Sequence, residues 1–113
     1  MFKFVKYFLT QMIALYDYYG LEVFFKKDIS LPISVYARRG NKESCIRIEF
    51  KDGLVKSVQM DSEINSLDAD DAETFMLLTE KNISEIVKSW LDAFIYNKEV
   101  SSEIIKINIR ENA

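Results

Sequence analysis

Four basic residues, Arg38, Arg39, Lys42 and Arg47, fall within ten positions of one another, and Tyr36 stands just ahead of them. Cations interleaved with an aromatic on an extended chain can steer an acidic protein partner, or contact phosphates and stack a base. Side chains alternate across a strand, so Tyr36 and Arg38 share a polar face opposite Ile33 and Val35. Residues 1–60 hold 10 Lys/Arg against 6 Asp/Glu, net +4, whereas residues 61–113 hold 5 against 12, net −7. The competing assignment for the basic cluster is therefore ion pairing with the acidic second half, or plain solvation. A pI near 5.0 also opposes nonspecific nucleic-acid binding.

Other chemistries are narrowed by what the 113 residues contain. There is no histidine, which removes imidazole bases and histidine metal ligands. Cys45, the single cysteine, has no adjacent base and stands in a strand-like run, as a structural thiol does. It cannot form an internal disulfide, and a reducing cytoplasm suits such a chain. Gly20, Gly40 and Gly53 are too far apart to build a phosphate loop. The run DADDAE has aspartates at Asp68 and Asp70 in the manner of a calcium loop, but lacks its glycine and closing glutamate. Helix capping by Asp70 with Glu73 accounts for the same carboxylates, so no metal site, cofactor or catalytic residue is expected.

The elements that must carry these residues can be read from periodicity. MFKFVKYFLTQMIALYDYYG begins with lysines and an apolar run, yet offers no small-residue cleavage site and is too short and polar to span a bilayer. Phe4, Phe8, Met12, Leu15 and Tyr19 recur every three to four residues, which predicts an amphipathic helix ended by Gly20. From Leu21 the period becomes two. LEVFFKK, ISVYAR led by Pro32, SCIRIEF and LVKSVQM read as four strands, with turns at Arg39–Lys42 and at Asp52-Gly53. An apolar stripe from Ala72 through Phe75, Leu78, Ile86 and Trp90 to Phe94 predicts a long helix, with Asn82–Ser84 as the place where it can break. SEIIKINI alternates once more.

At 49% hydrophobic the chain has material for one core, and 29% charge without low-complexity tracts argues for a folded chain. The expectation is one α+β domain over 1–113. It comprises an N-terminal helix over 1–19, a four-stranded antiparallel meander over 21–60, a long C-terminal helix over 70–96 packed on one sheet face, and a final edge strand over 103–109.

The order of a proline-led strand, a glycine turn, further strands and a helix bearing tryptophan resembles a family of small bacterial proteins, domain-of-unknown-function family 4160. Leu31-Pro32-Ile33-Ser34-Val35-Tyr36 falls on the family's Pro-Pro-His-x-His-Val positions, Gly40 on its turn glycine and Trp90 on its helix tryptophan, over roughly residues 20–96. Ile33 and Val35 replace both family histidines, so the resemblance implies the architecture and no site. It also implies association with toxin and antitoxin partners. The expected function is thus a noncatalytic protein-interaction module, binding a protein partner or itself, with Tyr36, Arg38, Arg39, Lys42 and Arg47 as contact residues. A nucleic-acid-binding module using the same hairpin is the alternative, and a small enzyme using carboxylates and arginines is a weaker one.

Overall fold

A computed structural model of the protein describes residues 12–27, 31–61 and 65–110. Along the chain come β1 (Met12–Tyr18), β2 (Leu21–Lys26), β3 (Ile33–Arg39), β4 (Lys42–Lys51), β5 (Leu54–Asp61), α1 (Ala69–Lys81), α2 (Ile83–Phe94) and β6 (Glu103–Ile105). The strands form one six-stranded mixed sheet in the order β5-β4-β3-β2-β1-β6. β1 to β5 pair antiparallel with their sequence neighbours, and β6 returns to lie parallel to β1.

The expected N-terminal helix is overturned where it can be seen. Residues 1–11 lie outside the described residues, but Met12–Tyr18 is a strand, and Tyr19-Gly20 is a hairpin loop rather than a helix stop. Both loop residues have positive φ, 49° and 86°, the backbone a two-residue hairpin turn requires. A β-bulge explains the helical look of the sequence. Ala14 pairs with Phe24 and Tyr16 with Val23, which leaves Leu15 as the extra residue. Leu15 and Tyr16 are consequently both buried, and the spacing of apolar residues drifts from two towards three to four. The meander therefore has five antiparallel strands, not four.

The long C-terminal helix is likewise corrected to two helices meeting at Asn82. Its backbone N–H still reaches the Leu78 carbonyl at 3.1 Å, but the side-chain amide donates to that same carbonyl at 2.9 Å. An asparagine that competes for backbone partners in this way favours the end of one helix and the start of the next. The final strand is shorter than expected. Pairing covers only Glu103–Ile105, and the alternation Ile105, Ile107, Ile109 is not realised, since Ile109 is buried whereas Ile107 is 67% exposed.

Both helices lie on one face of the sheet. Phe75 and Leu78 of α1 and Ile86 and Trp90 of α2 share one core cluster with Leu21, Val23, Phe25, Val35, Ile46 and Ile48. Trp90 stacks obliquely on Phe94, and Phe94 on Phe25, with centroids 5.4 Å and 6.0 Å apart. Ser44, buried on β4, accepts a hydrogen bond from the Leu67 N–H at 3.1 Å, and the Glu43 N–H donates to the Asn65 carbonyl. These bonds fix the chain leading into α1 over the end of the β3–β4 hairpin.

Candidate interaction face

The β3–β4 hairpin does not present its basic residues together. Register puts Arg39 opposite Lys42, in line with Ala37 and Ser44 on the helix-covered side, and Arg38 opposite Glu43, in line with Tyr36 and Cys45 on the other. The five residues expected to form one contact surface are thus divided between two faces.

On the helix side, Arg39 and Lys42 are clamps. The Arg39 guanidinium donates to Asp71 Oδ2 at 2.7 Å and to the Tyr19 carbonyl at 3.0 Å, so it ties the β1–β2 turn to the first turn of α1. Lys42 donates to Asp68 Oδ1 at 2.5 Å. Arg110 completes the set with bonds to Asp70 Oδ1, the Asp70 carbonyl and Thr74 Oγ1 at 2.8–2.9 Å. Asp68 is the N-cap of α1 but makes no side-chain cap bond, and the expected capping pair of Asp70 with Glu73 is not formed. The acidic run is instead a receptor for cations from three other segments, placed where the helix dipole also favours negative charge.

On the outer face, the rings of Phe24 and Tyr36 stack across β2 and β3 with centroids 5.8 Å apart and planes inclined by 21°. Lys26 Nζ lies 4.2 Å from the Tyr36 centroid, and the Arg38 guanidinium 5.3 Å from that of Phe24. Phe24 is only 2% exposed although it points away from both described helices, and the Tyr36 ring and the Arg38 guanidinium lie against it. Cations and carboxylates alternate around this aromatic pair. Lys26 meets Glu43 at 2.7 Å, Arg47 meets Asp61 at 2.8 Å, and Arg38 lies 3.7 Å from Glu22. Cys45 is buried in the same cross-strand row as Phe24 and Tyr36.

Two members of this face, Phe24 and Lys26, were not singled out from the sequence, although a signal was there. In LEVFFKK the polar-face positions are Glu22, Phe24 and Lys26, and a phenylalanine at a polar position marks an aromatic that needs cover. Elsewhere, the buried Tyr16 hydroxyl donates to Glu85 Oε1 at 3.0 Å; burial and, next, that carboxylate push the phenol's pKa well above its ordinary value. Among the described residues no three metal-ligating side chains converge. No described helix is long and apolar enough to cross a membrane. No family model, curated protein or solved structure matches the chain.

Proposed function

We propose that the protein is a noncatalytic binding module whose partner is another protein, held through the outer face of the sheet around Tyr36, Arg38 and Arg47. The observation that supports this reading is the aromatic stack of Phe24 and Tyr36 ringed by cations that already have carboxylate partners. Aromatic and arginine side chains supply most of the energy at protein interfaces, and a rim of mixed charge selects the partner's orientation. A phosphate backbone would need these cations free. Here it would have to displace Glu22, Glu43 and Asp61, whereas a protein surface with its own mixed charges can exchange one set of pairs for another. Arg39 and Lys42, turned to the helix side, contribute to the domain's own cohesion and are left out of the contact set. The resemblance to a family associated with small toxin and antitoxin proteins points the same way.

Purified products of the neighbouring reading frames provide the test, measured by titration against the wild-type protein and the Tyr36→Ala and Arg47→Ala variants. Binding by the wild type that either substitution weakens about tenfold is expected, the scale of an interface anchor. Salt-sensitive binding of single-stranded or duplex nucleic acid, lost in the same variants, would replace this reading with the nucleic-acid one.

A further inference from the structure

We propose that residues 103–110 form a detachable strap, which opens as a unit from the outer edge of β1 while the rest of the fold stays closed. Its attachment is narrow. Among the described residues three pair with β1, Glu103 with Tyr16, Ile104 with Asp17 and Ile105 with Tyr18. Beyond them, besides the buried Ile109 side chain, the segment is tied by polar contacts at a few points. The Tyr19 hydroxyl donates to the Lys106 carbonyl, Tyr18 shares its hydroxyl between Asn108 Oδ1 and the Ile109 N–H, and Lys81 Nζ reaches the Ile109 carbonyl at 3.3 Å. Arg110 holds the far end against Asp70 and Thr74. Of the strap's isoleucines, Ile109 alone is buried and Ile105 half-buried, while Ile104 and Ile107 are 69% and 67% exposed.

The surface left behind does not depend on the strap for its own closure. α1 keeps its ties to the hairpin through Arg39 with Asp71 and Lys42 with Asp68, and the core cluster keeps every helix and sheet residue other than Ile105 and Ile109. A segment held by few apolar contacts and several solvent-exposed polar ones opens at a lower free energy than the core. The charge-assisted contacts of Arg110, on an exposed surface, make that opening sensitive to salt. Opening uncovers the Tyr18 ring and frees the outer hydrogen-bonding edge of β1 along Tyr16–Tyr18, a length of strand that an extended peptide can pair with. This gate is independent of the outer face and does not rest on the function proposed for it.

Amide hydrogen exchange on the full chain tests the strap as a unit. The amides of Ile105, Ile109 and Arg110 are expected to exchange faster than those of Val35, Ile46 and Ile48. Raising NaCl from about 0.05 to about 0.5 M is expected to accelerate the first group only. Arg110→Ala, which removes the guanidinium's bonds to Asp70 and Thr74, should speed the strap amides by at least about tenfold, with the core amides unchanged. Tyr18→Phe, which keeps the ring and removes the hydroxyl that Ile109 and Asn108 share, should do the same at Ile109. Strap amides that exchange at core rates, or variants that accelerate strap and core alike, would show one cooperative unit and overturn the proposal.

Discussion

The two faces of the sheet use the same kinds of side chain for different ends. On the helix side, Arg39, Lys42 and Arg110 converge on the acidic first turn of α1, so ion pairs join segments far apart in sequence. On the outer face, Lys26, Arg38 and Arg47 pair with carboxylates of the same sheet, and cross-strand neighbours neutralise one another around an aromatic stack. The first arrangement links α1 to the hairpin and to the C-terminal segment; the second leaves a mixed-charge surface whose exposed pairs contribute little to stability. Adjacent residues, Arg38 and Arg39, fall on opposite sides of that division because side-chain direction has a period of two.

The largest effect belongs to the core beneath the helix side. Trp90→Ala should lower the unfolding free energy by about 3 to 5 kcal/mol, since a large ring packed on Phe94 leaves a cavity. Denaturant titration reads this directly. Native tryptophan emission that is red-shifted and quenched by iodide would contradict the packing.

Next comes the turn that Arg39 grips. Gly20 has φ of 86°, and a Cβ there would lie 3.0 Å from an Arg39 guanidinium nitrogen. Gly20→Ala should cost about 1 to 2 kcal/mol through the left-handed backbone alone, and should loosen the clamp as well. At Gly53, with φ of 79° but nothing near its Cβ, alanine meets only the backbone cost. A thermal melt for Gly53→Ala lower than for Gly20→Ala would undo the comparison.

Tyr16→Phe should cost about 1 kcal/mol at neutral pH, the net worth of a side-chain hydrogen bond. Its pH dependence has a definite sign. The folded phenol's pKa is raised, so the stabilisation is complete below the unfolded value near pH 10 and falls above it, where only the unfolded chain ionises. Melts between about pH 9 and about pH 11 should show the wild type losing more stability than Tyr16→Phe. A smaller effect is expected for Lys42→Ala, at most about 1 kcal/mol and reduced by added salt, because both partners of that pair are exposed.

The strands from Leu21 to Met60 were legible because local signals agreed. Alternation, Asp52-Gly53 and the Gly40 turn all act over a few residues. The first strand was not, because one extra residue at Leu15 breaks the period on which such a reading depends. The helix break at Asn82 lay in the sequence as a competing side-chain amide, but a continuous apolar stripe ran across it. For the contact residues, the division between faces was already implied by the odd-numbered series Ile33, Val35, Ala37 and Arg39. What no local pattern carries is the choice of partner. Asp68 and Asp71 lie 26 and 32 positions from the cations they bind, and only the packing of α1 over the hairpin brings them there.

The central claim, that neighbouring arginines serve different faces, is tested most directly by Arg38→Ala and Arg39→Ala carried through the same two measurements. Each variant is melted in denaturant and titrated with a partner that binds the wild type among the neighbouring gene products. Arg39→Ala should lose about 1 to 2 kcal/mol of stability, since a charged donor leaves both Asp71 and the Tyr19 carbonyl, and should bind normally once folded. Arg38→Ala should melt within about 0.5 kcal/mol of the wild type and bind about tenfold more weakly. Equal melts for the two variants, or undiminished binding by Arg38→Ala, would contradict the account.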